Sequence, residues 1–234
     1  MSEKRTAVRF FAVVFSVLLV TSVASAGMIS SVGVAQAQTA DDEVLYRANA
    51  AGGEVSAVDG GPDWVDDEQY LVAGGTDTSS HGQPSQIDSS VPASTPDGIW
   101  NDERWDPSSG DEMQYEFTVP DGQEVEVRLY FYDGYSGTSS VGDRVFDVSV
   151  EDQTIENFDI IEKYGDDTGA MESFTVTSDG TIDVDFAHVT ENPQINAIEI
   201  VSTEPPPGAL GGPDSRAFGT VATGHPPTGT GTRT

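Results

Sequence analysis

The stretch that decides the fold is Glu124-Val125-Glu126-Val127-Arg128-Leu129-Tyr130-Phe131, in which polar and apolar side chains alternate. Successive side chains of a β-strand point to opposite faces, so such alternation predicts a strand with one buried face. Val125, Val127, Leu129 and Phe131 are predicted to share that face.

The same alternation recurs along the second half of the chain, at 146–150, 174–176, 182–186 and 195–201. Asp121-Gly122 and Asp179-Gly180 lie between these runs and are expected to form hairpin turns, which favour residues with positive φ. No segment has a sustained helical period. We therefore predict an all-β fold over residues 42–202, a β-sandwich of the jelly-roll type.

The charge of the chain is strongly one-sided, with 10 Lys and Arg against 40 Asp and Glu. Large apolar residues alternate with the acids, so the chain can still bury a face, unlike a disordered acidic segment. A carboxylate-rich surface is typical of proteins that work in molar salt, where the Debye length is only about 3 Å. We expect a halophilic protein with an acidic surface. The absence of a basic footprint excludes nucleic acid as a partner.

The N-terminus has the pattern of an export signal, with basic residues followed by an apolar run at 10–20 and then small residues. Residues 1–37 are predicted to be a signal peptide, with cleavage after Ala26 or Ala37. The apolar core is short for a bilayer span, so no membrane span is expected after cleavage. An uncleaved anchor is the alternative. Either reading predicts a secreted or cell-surface protein.

Two segments have little regular patterning. Residues 203–234 are rich in Pro, Gly and Thr and are predicted to form a disordered tail or linker. Residues 53–112 are rich in Gly, Ser, Asp and Pro, with scattered aromatics that are Trp64, Tyr70, Trp100 and Trp105. Long irregular segments inside a domain are often functional, and we expect these aromatics to be exposed, which favours a functional role for the segment.

Several motifs together resemble malectin and the malectin-like domains. They are Tyr-Arg-Ala-Asn-Ala-Ala-Gly-Gly at 46–53, Trp-Asn-Asp-Glu-Arg-Trp at 100–105, the stretch 128–150, and Glu-Asn-Pro-Gln-Ile-Asn-Ala-Ile at 191–198. The resemblance covers about residues 44–201. It implies a malectin-like, galactose-binding-like β-sandwich that binds carbohydrate, as an oligosaccharide or glycoconjugate, without hydrolysing it and without a cofactor.

The resemblance also implies a set of binding residues at one end of the sandwich. Trp105, Tyr135 and Tyr70 match the family's binding aromatics, and Glu191 matches its acidic ligand residue, one methylene longer than the family's aspartate. Ser136 replaces the second aromatic of a pair, which leaves the identity of the sugar open. Aromatic faces cover the C–H face of a pyranose, and carboxylates and amides bind its hydroxyls. On this chemistry the remaining candidates are Asn192, Tyr132 and Asp133.

Other functions have less support in the sequence than carbohydrate binding. The chain has no cysteine and no Gly-x-Ser-x-Gly motif, and its three histidines are dispersed. Carboxylates are so numerous that finding a pair is no evidence of a glycosidase. Asp183, Asp185 and the Asp166-Asp167 pair offer calcium ligands, but the first two are predicted to share a solvent-facing side of one strand. The alternative is a structural or adhesive surface module that binds a protein or calcium without recognising sugar.

Overall fold

The computed structural model describes residues 43–74 and 76–203. The predicted signal peptide at 1–37 and the predicted tail after Thr203 lie outside the described residues. The strands, in chain order, are β1 (Glu43–Asn49), β2 (Val65–Asp66), β3 (Leu71–Ala73), β4 (Asp77–Ser80), β5 (Gln86–Ile87), β6 (Asp102–Trp105), β7 (Gln114–Thr118), β8 (Glu124–Phe131), β9 (Val145–Val150), β10 (Gln153–Phe158), β11 (Thr168–Thr177), β12 (Thr181–Thr190), β13 (Gln194–Ile195) and β14 (Ala197–Ser202).

The strands of the described residues form three sheets. A six-stranded sheet has the order β2-β1-β14-β8-β11-β5, and a five-stranded sheet has the order β10-β9-β12-β7-β3. A small third sheet has the order β13-β6-β4. Neighbours are antiparallel except for the pairs β1–β2 and β5–β11. The predicted all-β sandwich is confirmed.

The main core lies between the two large sheets, and β8 supplies its centre. Val125, Val127, Leu129 and Phe131 are fully buried in one cluster, as the alternation predicts. Their partners in that cluster include the alternating apolar residues of β9 and β12, which are Phe146, Val148, Val150, Ile182, Val184 and Phe186. The alternation in the sequence therefore identifies core residues in both large sheets.

A second buried cluster covers the other side of β8. Trp64 and Trp100 are only 1% and 2% exposed, and their rings lie 5.5 and 5.9 Å from the ring of Tyr130. The expectation that these two tryptophans are exposed is therefore wrong. The irregular segment folds over the outer face of the six-stranded sheet, where each indole buries a large apolar area.

The two Asp-Gly turns have the expected backbone but a different role. Gly122 and Gly180 have φ of 82° and 125°, the left-handed region that glycine adopts without strain. However, β7 and β8 belong to different sheets, and so do β11 and β12. The expectation of hairpins is therefore wrong, because each turn carries the chain across the sandwich. The turns lie side by side, with Gly122 N donating to Ser178 O at 2.8 Å.

Helical structure is limited to short pieces. Within the described residues these are α1 (Ile160–Tyr164) and two 3₁₀ turns, at Asp67–Gln69 and Asp97–Trp100. Asp159 begins α1, and its carboxylate accepts from the N–H groups of Ile161 and Glu162 at 3.0 Å, which satisfies free donors of the first turn. No helix in residues 43–74 and 76–203 is long and apolar enough to cross a membrane.

Candidate functional site

The small third sheet gathers three separated segments around Trp105. In its register Trp105 lies opposite Gln194 of β13 on one side and Asp77 of β4 on the other. The indole Nε1 donates to Ser79 Oγ at 2.9 Å. The next residue, Asp106, donates its N–H to Pro193 O at 3.0 Å. These bonds hold the end of β6 against the turn that precedes β13.

A cavity of about 270 Å³ opens beside this strand end. Four of the residues that line it are predicted binding residues, namely Trp105, Tyr135, Glu191 and Asn192. The four others, which the sequence did not single out, are Ser79, His81, Glu103 and Arg144. Tyr135 is the most openly placed of the aromatics, with 48% of its surface exposed.

The remaining three predicted residues lie outside the lining of this cavity. Tyr70 stacks on Phe117, with ring centroids 4.6 Å apart, and packs against the main core. Tyr132 is buried, and its hydroxyl donates to Asp167 Oδ1 at 3.1 Å. Asp133 forms a buried ion pair with Arg144, with Nε and Oδ2 3.1 Å apart. Tyr70 therefore lies in the packing of the sandwich, while Asp133 contacts the cavity wall.

A second recess, also of about 270 Å³, includes Tyr135 in its lining. Its lining includes Tyr132, Asp133, Asp166 and Asp167. Tyr135 belongs to the lining of both recesses. The two hollows therefore meet at one exposed aromatic side chain.

Glu103 and Arg144 bring buried charge to the first cavity. Glu103 is 3% exposed and Arg144 is 5% exposed. Glu103 Oε1 lies 3.1 Å from His81 Nε2. Glu103 Oε2 and Arg144 Nη1 are both buried and have no hydrogen-bond partner among the described residues. Buried polar atoms are nearly always paired, so these two open atoms mark the cavity as a place for a polar ligand.

The electrostatics of this charged group follow from burial around a single guanidinium. Burial raises the pKa of the Glu103 carboxyl, and the positive charge of Arg144 opposes the rise. Burial likewise raises the pKa of Asp133, again against the charge of Arg144 and the hydrogen bond from Thr138. One cation thus compensates two desolvated carboxylates.

The backbone at Glu191 is in the left-handed region, with φ of 61°. A non-glycine residue there costs roughly 1–2 kcal/mol, and such strain persists mainly where a side chain is needed in one place. The Glu191 carboxylate accepts from Asn192 Nδ2 at 3.1 Å. The turn therefore presents an acid and an amide together at the mouth of the cavity.

The sequence contains one signal for Arg144, which lines the cavity but was not among the predicted binding residues. Arginines are scarce in this acidic chain, so each one in the folded part is surrounded by candidate partners. Arg47, Arg104 and Arg144 are all buried and paired with carboxylates. Scarcity of positive charge thus marks positions where a cation is required, and Arg144 is the one in the cavity. Ser79 and His81 carried no comparable signal, because they lie in a Ser- and Gly-rich segment.

Comparisons with known proteins agree with this architecture. The Malectin domain profile matches residues 44–198. Among solved structures, FER in the complex with the plant peptide RALF23 and LLG2 shares 20% identity and a TM-score of 0.59, over 68% of this chain and 48% of that chain. The ANXUR1 extracellular domain from Arabidopsis thaliana shares 18% identity and a TM-score of 0.57, over 68% and 48%.

At these identities the structural likeness shows the fold, and the chain spans about half the length of the solved structures it matches. A comparison with curated protein sequences found no match. The profile match covers most of the described residues and the three motifs that contribute to the cavity lining, at 100–105, 128–150 and 191–198. The chain therefore belongs to the malectin domain family.

Proposed function

We propose that this protein is a non-catalytic carbohydrate-binding module. The proposed ligand is a sugar residue of an oligosaccharide or glycoconjugate, held in the cavity between Trp105 and Tyr135. The cavity is slightly smaller than the roughly 300–1,000 Å³ of pockets that enclose drug-sized ligands. Its volume of about 270 Å³ suits one sugar residue at the end of a longer chain.

The observation that carries the proposal is the pair of unpartnered buried atoms, Glu103 Oε2 and Arg144 Nη1. A sugar hydroxyl donates one hydrogen bond and accepts others. A single hydroxyl, or two neighbouring ones, can therefore donate to Glu103 and accept from Arg144. Hydrogen bonds to charged groups are the stronger kind, so this pair would supply much of the recognition.

The aromatic residues complete the match to a sugar ring. Trp105 is fixed by its bond to Ser79, so its indole offers a rigid apolar surface at low entropic cost. Tyr135 is exposed at the mouth, and Glu191 and Asn192 add an acceptor and a donor at the rim. This division into an apolar platform and a polar edge fits a pyranose better than a uniformly polar ligand.

The proposed location is outside the cell or on its surface. The solved relatives include the extracellular domain of ANXUR1, and the predicted signal peptide at residues 1–37 leads to the same location. A glycan of a cell surface or matrix would be accessible to the cavity there.

A peptide is the second candidate ligand. In one related structure FER is in complex with the peptide RALF23 and with LLG2. The observation that favours a longer ligand here is the pair of recesses that meet at Tyr135, since together they extend beyond one sugar ring. A peptide would use both recesses, whereas the sugar proposal needs only the first.

A glycan array in molar NaCl tests the proposal, with the wild type compared with Trp105→Ala, Tyr135→Ala and Val72→Ala. Val72 is a matched control because it is 58% exposed and outside the cavity. We expect at least tenfold weaker glycan binding for the first two variants, equivalent to about 1.4 kcal/mol, and unchanged binding for the control. Retained binding in Trp105→Ala, or no glycan bound by the wild type, would overturn the proposal.

A further inference from the structure

Three ligand-type side chains, one of them on the residue that follows Trp105, meet outside the lining of the proposed sugar cavity. Asp106 follows β6, Glu112 precedes β7, and His188 lies near the end of β12. Each offers one oxygen or nitrogen atom, and the three atoms all lie within 4.8 Å of one another. Glu112 and His188 are brought together because β7 and β12 are paired, and the loop between β6 and β7 returns Asp106 to the same point.

His188 is oriented by a backbone carbonyl. Its Nε2 lies 3.0 Å from the carbonyl oxygen of Asp106. A carbonyl oxygen only accepts, so Nε2 carries the hydrogen and donates it. In the neutral ring Nδ1 then has a free lone pair, and this atom lies 2.7 Å from Glu112 Oε2. Two acceptors at this distance repel each other unless a cation or a second proton stands between them.

Asp106, like His188, has one side-chain atom hydrogen-bonded to the backbone and another with a free lone pair. It is 1% exposed, and its Oδ2 accepts from the N–H of Met113 at 2.6 Å. Its Oδ1 is buried and has no hydrogen-bond partner among the described residues. One oxygen of the carboxylate is thus held by the backbone while the other remains open.

We propose that Asp106, Glu112 and His188 bind one divalent transition-metal ion of the zinc class, through Asp106 Oδ1, a Glu112 carboxylate oxygen and His188 Nδ1. Histidines that bind metals almost always donate their other ring N–H to a carbonyl or carboxylate, as His188 does. One imidazole nitrogen with carboxylate oxygens suits zinc, whereas calcium and magnesium prefer oxygen ligands alone.

The three ligand atoms lie within 4.8 Å of one another, so binding an ion requires only local side-chain adjustment. Zinc bonds of about 2.0–2.2 Å place neighbouring ligand atoms roughly 3.3–3.6 Å apart. The side chain of Glu112 is 47% exposed, so it can rotate to open its close contact with His188. Three protein ligands leave a fourth position for water, and the two carboxylates balance the charge of the ion.

The ion would link strand β12 to the loop between β6 and β7 beside the sugar cavity. Asp106 is adjacent to Trp105, and its N–H binds Pro193 of the turn that carries Glu191 and Asn192. A metal at this point would stiffen both sides of the cavity and strengthen glycan binding. This consequence rests on the proposed function, but metal binding itself does not, because it is measured without a glycan.

The test is a calorimetric titration of the chelator-treated chain with ZnCl₂ in molar NaCl, where weak attraction to surface acids is screened. We expect one ion per wild-type chain and at least tenfold weaker binding in His188→Gln and Asp106→Asn. Asp183→Asn is the matched control, since it removes one acid from the same strand as His188, and it should bind as the wild type does.

The wild type alone gives a second measurement that does not depend on the variants folding. Zinc bound to the folded state raises Tm, so we expect ZnCl₂ to raise it more than an equal concentration of CaCl₂. Three results would overturn the proposal: no uptake by the wild type, which would leave a protonated His188 between its two acceptors; equal binding in His188→Gln; or an equal rise in Tm with calcium.

Discussion

The carboxylate of Asp67 binds the guanidinium of Arg104 through two parallel contacts, Oδ2 to Nε and Oδ1 to Nη2, each of 2.6 Å. Both side chains are buried. Tyr115 of β7 donates its hydroxyl to the same carboxylate at 2.7 Å, and the Ala51 N–H donates to it at 3.0 Å. The pair therefore joins the small sheet to the sandwich one residue before Trp105.

Replacing Asp67 with asparagine should destabilise the whole domain. The substitution keeps the shape but leaves the buried charge of Arg104 without its partner, which typically costs about 3–5 kcal/mol. Denaturant unfolding in molar salt measures the change in free energy. Glu68→Gln makes the same chemical change at an exposed neighbour and should cost less than about 0.5 kcal/mol. Equal effects of the two substitutions would show that the ion pair contributes little.

Replacing Ala51 with glycine should stabilise the protein. Ala51 has φ of 61°, a backbone conformation that costs an alanine roughly 1–2 kcal/mol in the folded state. Glycine removes this strain, but it lowers the free energy of unfolding by about 0.4–1 kcal/mol because the unfolded chain becomes more flexible. The expected net gain is about 0.5–1 kcal/mol in the free energy of unfolding, measured by denaturant titration.

Ala57→Gly serves as the control for Ala51→Gly, because Ala57 is outside the left-handed region and should lose stability on the same change. If Ala51→Gly also lost stability, the alanine side chain would have to contribute packing that outweighs its backbone strain.

Stability should rise with salt concentration. The chain has 40 acids and 10 basic residues, so most carboxylates repel one another without a positive partner. The Debye length falls from about 10 Å at 0.1 M to about 3 Å at 1 M, which screens this repulsion. We expect a higher Tm in 2 M NaCl than in dilute buffer, by more than sucrose of equal osmolality produces. The same Tm in both salt conditions would contradict a halophilic protein.

The alternating segments predicted the core correctly because a strand with one buried face must have an apolar residue at every second position. The same pattern could not predict what covers the other face. Tyr130 lies in the polar phase of β8, yet it is buried beneath Trp64 and Trp100. Those contacts join residues far apart in the chain, so neither tryptophan carries a local sign of burial.

The sequence identified part of the lining of the candidate cavity for a similar reason. Trp105, Tyr135, Glu191 and Asn192 lie in short motifs that can be matched one by one, and all four line the same cavity. Tyr70 lies where the motif spacing is loose, and its ring packs on Phe117 instead. The scarcity of basic residues draws attention to Arg144, but only the chain topology brings it together with Glu103 at the cavity, so no local pattern could mark the two as partners.

Replacing Glu103 with glutamine should stabilise the fold while weakening glycan binding. Burial raises the pKa of Glu103 above its ordinary value, so the folded state disfavours the ionised carboxylate. Below the ordinary carboxyl pKa the group is protonated in both states and carries no penalty. As pH rises from that value through the raised folded pKa, the wild type loses stability. Glutamine cannot ionise, so the variant escapes this loss.

The difference in Tm between Glu103→Gln and the wild type should thus be near zero at low pH. It should grow between the ordinary carboxyl pKa and the raised pKa of folded Glu103, and then stay constant. Each ~1 kcal/mol corresponds to about 2–4 °C in a domain of this size. Glu116→Gln, at an exposed position of β7, should show no such growth. A variant less stable than the wild type at neutral pH would mean that attraction to Arg144 outweighs burial. Higher stability with weaker binding is what a residue retained for its ligand should show.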